Sequence, residues 1–448
     1  MTCTGTVWQP GLMNLRADHH GVAADPARFG CRIVDGHLQI EDVDLRVLAK
    51  EVGTPTYVYG LAHIEAQYRG LAKAVGQRPT SICYAVKANS SQAVLKLLGG
   101  LGAGADIVSV GEMHRAMAAG IEPARIVFSG VGKRDDEIDA AIEAGVRSIN
   151  VESEEELERV AARARRSTRP VNVSLRVNPD VDPATHPYLA TGLRESKFGI
   201  PMTLARKVAK RAIDLEGVEL VGIACHIGSQ ITEASPYLDS VARLRGLLAE
   251  IAEDGGKLRQ LDLGGGMSIP YAPEDAVFDV ESWGRAVVEV TKDLPMELVL
   301  EPGRYLVGNA GVLLTRVINT KRGEDKGFVI VDAAMNDLLR PALYQARHTI
   351  VPVAIEAALS VEEETVDLVG PVCECGDFLA ENRRSPRLST DDLVAVLSAG
   401  AYGMTMASTY NTRALPAEVV VRGDQWSVTR PRRPIAELIA EESVPGWV

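Results

Sequence analysis

Between Ile82 and Leu300 the chain repeats one pattern: a short apolar run, a turn, then a longer stretch with apolar residues every three or four positions. The runs fall at 82–86, 104–108, 125–128, 147–151, 171–177, 219–225, 260–263 and 296–300. The first, Ile82-Cys83-Tyr84-Ala85-Val86, is apolar without alternation, as expected of a strand covered on both faces of a parallel sheet. The stretches between are amphipathic, for example Asp135 to Ala144 and Glu154 to Ala164, the second opened by Ser153 and Glu156 at capping-box spacing. Strand and helix in alternation predict consecutive βαβ units. Eight of them predict a closed, TIM-type (β/α)8 barrel rather than an open doubly wound sheet, which uses about five or six strands.

The chain of 448 residues is too long for one average domain, so a second domain is expected beside the barrel. After Arg304 the apolar runs lengthen and no helical pattern separates them: Val312 to Thr320, Phe328 to Asp332, Thr349 to Ile355, Glu364 to Val369, Asp392 to Leu397 and Glu418 to Arg422. This region reads as all-β, sandwich-like or barrel-like. Asp35-Gly36 between two apolar runs signals a hairpin that would add N-terminal strands to it. The expected layout is residues 1–28 as a loosely docked extension, 29–59 as strands of the β domain, 60–304 as the barrel and 305–448 as the C-terminal β domain. The Pro179 to Gly199 connection is long for a barrel loop, and long loops in compact domains tend to be functional.

Composition removes several function classes. With 48 Lys+Arg against 60 Asp+Glu the net charge is −12, and no basic block of the kind nucleic-acid binders carry is present. No apolar run approaches a membrane span. The six cysteines are scattered and the start, Met1-Thr2-Cys3-Thr4, lacks a basic and then apolar leader, so a reduced, cytoplasmic protein is expected. Cys373-x-Cys375 has no second cysteine or histidine pair at zinc spacing, and no metal is expected.

A barrel builds its site from residues that follow the strands. Here Lys87 follows the first run, His226-Ile227-Gly228-Ser229 the sixth, Gly264-Gly265-Gly266 the seventh, and Glu301-Pro302-Gly303-Arg304 the eighth. Taken singly, each has a plainer reading: a snorkelling lysine, a packed histidine, a flexible turn, an ion pair between Glu301 and Arg304. Together they suggest more. A desolvated lysine is expected to have a lowered pKa and can form an imine with a carbonyl. Loops after the seventh and eighth strands are where barrels bind phosphate. A carboxylate at the eighth strand can hold a pyridine nitrogen protonated. Pyridoxal phosphate fits all three.

The chain resembles the barrel-type pyridoxal-phosphate decarboxylases, and within them the diaminopimelate decarboxylase family. The likeness runs from about Phe29 to about Arg422. It rests on Tyr84-Ala85-Val86-Lys87-Ala88-Asn89, His186-Pro187-Tyr188 with Thr191-Gly192 and Lys197-Phe198-Gly199, His226-Ile227-Gly228-Ser229-Gln230, the triple glycine and Glu301-Pro302-Gly303-Arg304. It continues through Met335-Asn336-Asp337, Arg340-Pro341-Ala342-Leu343-Tyr344, Gly370-Pro371-Val372-Cys373-Glu374 and Gly400-Ala401-Tyr402-Gly403 with Tyr410-Asn411. The resemblance implies decarboxylation of meso-2,6-diaminopimelate to L-lysine and CO2, with pyridoxal 5'-phosphate carried on Lys87 as an imine. It implies that His226 stacks on the cofactor ring and Glu301 meets the pyridine nitrogen. Ser229, Gly265, Gly303 and Arg304 would surround the phosphate, with Tyr402 reaching it. Arg304, Arg340, Tyr344, Glu374 and Tyr402 would hold the substrate's carboxylates and amines, and Cys373 would supply a proton. It further implies a homodimer with shared active sites, the Cys373-Glu374 loop entering from the second subunit.

The chain departs from the family pattern at Cys375, where serine is common, at Val110, where a small residue is common, and at Arg347, an aromatic position in relatives. Competing readings are a relative acting on ornithine, arginine or a carrier-bound glutamate, and a catalytically silent regulatory homologue. Glu374 after the cysteine favours diaminopimelate, since ornithine decarboxylases resemble this loop with aspartate there. Retention of Lys87 and Cys373 speaks against a silent homologue.

Overall fold

The computed structural model describes residues 17–181, 197–324 and 326–448. The eight runs become barrel strands one to eight: Thr80–Ala85, Gly104–Ile107, Ile126–Phe128, Ser148–Val151, Val171–Asn178, Val218–Ala224, Gln260–Asp262 and Glu297–Leu300. Neighbours pair in parallel all the way round, and the eighth closes on the first with Leu298, Val299 and Leu300 beside Thr80, Ser81 and Ile82. Ile200–Pro201 adds a short parallel strand to the fifth.

The pleat gives every strand two faces. Ile82, Tyr84, Ala105, Ile107, Ile126 and Phe128 join the core beneath the helices, while Cys83, Val127 and Val299 cluster separately inside the barrel. Polar residues flank that inner layer. At the N-terminal end Arg147 Nη2 lies 2.6 Å from Glu297 Oε2, and Gln260 Nε2 donates to Ser148 Oγ at 3.1 Å and Ser174 Oγ at 2.8 Å. At the C-terminal end Asp106 sits opposite Ala85 and Val127 in register, and Asp262 opposite Val299, so both carboxyls face inward. Strands that read as simple apolar runs therefore carry polar groups inside the barrel, where an eight-stranded ring leaves room for side chains alone.

The second domain is a mixed sheet. Its order is Phe378–Pro386, Glu363–Val369, Gly327–Val331, Gly311–Arg322, Thr56–Gly60, Ala417–Arg422 and Gln425–Arg430, with Leu393–Val396 also on Gly311–Arg322 and Ile350–Pro352 on Leu393–Val396. Thr56–Gly60 lies antiparallel to Gly311–Arg322 and parallel to Ala417–Arg422, which ties the N-terminal segment into this sheet. The Asp35-Gly36 turn does join Arg32–Val34 to His37–Ile40, but with Val43–Asp44 these form a separate three-stranded sheet whose Leu38 and Ile40 pack with Val58, Val312 and Val419. Two strands escaped the apolar pattern. Phe378–Pro386 and Gln425–Arg430 are end strands of the sheet, rich in polar and charged residues that leave no apolar run. The strands of this β domain are accompanied by short helices, Arg340–Tyr344, Ile355–Ala358 and Ile435–Ile439, too brief for a 3.6-residue period to register.

The stretch expected as a loosely docked extension is described from Ala17 onward, and from there it is firmly held. Asp18, 2% exposed at the start of helix Asp18–Ala24, accepts from Arg347 Nη2 and Arg383 Nη1, each at 2.8 Å, and from the Ile350 amide at 3.1 Å. His20 Nε2 lies 3.0 Å from Glu363 Oε1, and Arg28 Nη1 donates to the Pro273 carbonyl at 2.8 Å. Docking through ion pairs has no periodic apolar signature, which is why the sequence reading missed it. Asp18→Ala leaves Arg383 without its carboxylate and Arg347 with Glu274 alone. The expected cost is about 2 kcal/mol. It should appear as a lower urea midpoint at unchanged slope; an unchanged midpoint would show that the helix contributes nothing to stability.

Candidate active site

Lys87 sits in the single turn Val86–Ala88 that directly follows the first barrel strand. Its Nζ lies 2.7 Å from Asp106 Oδ2, at the end of the second strand, and its side chain is 40% exposed, open to the barrel mouth. The expected lowering of its pKa is not what the structure gives. Burial does pull the amine down, but the charge of Asp106, with Tyr402 and Glu301 adding, outweighs burial and raises it above the ordinary lysine value.

Three carboxyl groups converge there. Burial first, then the charges of Asp106 and Asp262, pushes Glu301 well above the usual carboxylate range, and burial likewise raises Asp262. Ser129 Oγ and Asn150 Nδ2 each stand 3.5 Å from Glu301 Oε1, and Asn150 Nδ2 donates to Ser129 Oγ at 3.2 Å. Asp106 Oδ1 and Asp262 Oδ2 are buried without a hydrogen-bond partner. A site with more carboxyls than cations, and orphaned acceptors among them, suits a ligand that brings its own positive or N–H group, as a protonated pyridine does.

The next ring of the site supplies donors. The Gly265 amide donates to His226 Nδ1 at 3.2 Å, so the other ring nitrogen carries the proton, and burial with Arg176 and Lys87 nearby pushes His226 well below the ordinary histidine value. Its ring is neutral. Arg304 Nη2 donates to Ser229 Oγ at 2.9 Å, which brings the loops after strands six and eight together. A Cβ on Gly265 would lie 2.2 Å from the Glu301 carbonyl oxygen, so only glycine lets those loops approach so closely. Gly303 is confined less severely, its absent Cβ 3.0 Å from that of Ala88 and 3.1 Å from that of Ala85. This backbone cradle beside a buried guanidinium suits a phosphate.

The β domain closes one side. The Tyr402 amide donates to the Ala88 carbonyl at 2.8 Å, Asn89 Nδ2 donates to the Gly400 carbonyl at 3.0 Å, and the Arg304 guanidinium lies 4.8 Å from the centre of the Tyr402 ring. Tyr402 holds φ +56°, a left-handed conformation costly for a tyrosine that aims its ring at the site. Arg340, 5% exposed, contacts His348 Nε2 at 3.1 Å, and Tyr344 is half-buried close enough to Arg304 to act on its charge.

Cys373 and Glu374 are not part of this gathering. Both are exposed, on the turn before Phe378–Pro386 that Asp377 pins by accepting from the Val372 and Met335 amides at 2.7 Å; the Cys373 amide donates to Asn411 Oδ1 at 3.1 Å. Among the described residues no hydrogen bond or ion pair joins either side chain to Lys87, Glu301 or Arg304. Of the departures, Cys375 is exposed, Val110 opens helix Val110–Ala118, and Arg347 is engaged by Asp18 and Glu274. His186-Pro187-Tyr188 and Thr191-Gly192 lie outside the described residues. Sequence reasoning did not single out Asp106, Ser129, Asn150, Arg176, Asp262 or Tyr271. The available signal was a polar residue interrupting an apolar run near its C-terminal end, as in Gly104-Ala105-Asp106-Ile107.

The family described as pyridoxal-dependent decarboxylase, pyridoxal binding domain, matches residues 61–308, so barrel and site together define a pyridoxal-dependent decarboxylase. The diaminopimelate decarboxylase of Pseudomonas aeruginosa is 51% identical over 410 residues, spanning 92% of this chain and 98% of that one; the Vibrio cholerae enzyme of the same name is 46% identical over 92% and 97%. Solved diaminopimelate decarboxylases with L-lysine bound superpose closely. The Helicobacter pylori structure has a TM-score of 0.85 at 36% identity over 89% of this chain and 99% of that one. The M. jannaschii structure has a TM-score of 0.87 at 36% identity over 93% and 98%. The chain belongs to the diaminopimelate decarboxylase family.

Proposed function

We propose that this chain removes one carboxylate of meso-2,6-diaminopimelate, giving L-lysine and CO2, with pyridoxal 5'-phosphate carried on Lys87. The observation that carries the reading is the convergence of Lys87, Glu301 and the Ser229–Arg304 pair at one end of the barrel. Bound there, pyridoxal phosphate supplies an electron sink for the pair left behind when the carboxylate departs.

Each residue then has a task. Lys87, paired with Asp106 at the barrel mouth, would hold the cofactor through its amine. Glu301 would hold the pyridine end of the cofactor, its own basicity raised by burial and by its carboxyl neighbours. His226, neutral, presents the flat of its ring. Ser229, Gly265, Gly303 and Arg304 bind the phosphate, joined by Tyr402. Arg340, Tyr344, Tyr402 and Arg304 orient the substrate's carboxylates, Glu374 takes the distal ammonium, and Cys373 delivers a proton to Cα. Cys373 and Glu374 are exposed, which supports a homodimer in which this loop completes the partner's site. The five described cysteines are free, and we assign the protein to the cytoplasm, where an exposed Cys373 stays reduced. Among the described residues no helix is long and apolar enough to cross a membrane.

The test is CO2 release by the cofactor-loaded protein across diaminopimelate stereoisomers, ornithine, arginine and lysine. One charge-assisted arginine contact to the distal carboxylate is worth about 2 kcal/mol, so meso-diaminopimelate should lead by at least about 30-fold in kcat/KM. Faster turnover of ornithine or arginine would overturn the substrate assignment and leave the fold intact.

A further inference from the structure

The geometry points to Tyr271 as a further specificity-determining residue, one that spaces Arg304 and Arg340 so that a dicarboxylic amino acid, and not a monocarboxylic one, fits between them. This rests on the proposed substrate reading.

Arg304 and Arg340 are 6% and 5% exposed, and neither pairs with a carboxylate among the described residues. Two like charges buried without an anion are costly. Their shared neighbour is Tyr271, itself 6% exposed, in the loop after the seventh strand. Its Oη accepts from Arg304 Nη1 at 2.5 Å, and its ring centre lies 4.6 Å from the Arg340 guanidinium and 5.7 Å from that of Arg304. The His348 ring meets it edge-on at 5.0 Å, and burial with Arg340 pushes His348 down to about 3, so this neighbour adds no third charge. One phenol thus holds Arg304 through its oxygen and turns its ring toward both guanidiniums. The pull of both guanidiniums, against burial, also lowers the phenol's pKa, in keeping with a group under two positive charges.

The ring is held from several sides. The Tyr271 carbonyl accepts from Thr349 Oγ1 at 2.7 Å, its amide donates to Asp275 Oδ2 at 2.8 Å, and the next residues are gripped by Arg28 at the Pro273 carbonyl and by Arg347 at Glu274. A residue fixed by the barrel loop, the β domain and the N-terminal segment keeps its geometry before any ligand arrives, which is what selective recognition of a second carboxylate requires. Arg347, where this chain departs from the family pattern, is part of this grip.

The test uses Tyr271→Phe in the cofactor-loaded enzyme. The cofactor absorption band should match wild type, kcat should stay within about 3-fold, and KM for meso-diaminopimelate should rise about 10-fold for the lost charge-assisted hydrogen bond. In a cycle with Arg340→Lys, the KM penalties should be markedly less than multiplicative, since both act on one element. An unchanged KM, a fall confined to kcat, or penalties that multiply would overturn the proposal. A variant that lost the cofactor band would overturn it as well, by showing that the phenol serves the fold. If wild type itself did not decarboxylate meso-diaminopimelate, the substrate reading would fail instead.

Discussion

Lys87→Ala is expected to lose the imine absorption of bound pyridoxal phosphate and at least about 10^3-fold in decarboxylation, because no other amine can take over covalent attachment. Lys87 is the lysine at the end of the first strand, 40% exposed toward the mouth, within 2.7 Å of Asp106. Lys133, a second lysine near the barrel strands, is fully buried and already bonded to Gly130 and Asn150 carbonyls and to Glu156, so it is no substitute. Borohydride reduction of the loaded wild-type protein should place the cofactor on the peptide containing Lys87. An adduct on a different peptide, or an undiminished band in the variant, would remove Lys87 from its role.

Mixing Lys87→Ala with Cys373→Ala should restore activity that neither variant has alone. Each is expected to lose at least about 100-fold, one for want of attachment and the other for want of its proton donor. If the exposed Cys373 loop completes the partner's site, a heterodimer holds one site with both residues intact and one with neither. Random exchange at equal amounts makes half the dimers mixed, so about a quarter of wild-type activity should return. Sites built within a single chain would give none, since each would contain one lesion. Absence of recovery after exchange has been verified by mass or by fluorescence would therefore show that the site is not shared.

Local signals carried the reading far at some positions and nowhere at others. The eight barrel strands were legible because a strand covered on both sides must be apolar and the helix after it must show a 3.6-residue period, and both are written in contiguous residues. Lys87, His226, Glu301 and the triple glycine were legible for a related reason: each directly follows such a run, and barrels place those positions at the mouth. The same logic failed for the polar edge strands Phe378–Pro386 and Gln425–Arg430, which need no apolar run where one side is open.

The sequence by itself determined the barrel, the order of its strands and the residues at their ends, because those follow from spacing along the chain. Which of these residues meet was decided by the tertiary structure. Barrel closure brings the first, second, seventh and eighth strands around one point, so Lys87 finds Asp106 and becomes more basic where isolated burial would have made it less so. Tyr271 lies between Arg304 and Arg340 only because a barrel loop, the eighth strand end and a short helix of the second domain converge. Asp18 reaches Arg347 and Arg383 across more than three hundred positions of sequence. Charge pairing of this kind depends on distance in space and leaves no period in the chain, so it emerges only once the fold has set those distances.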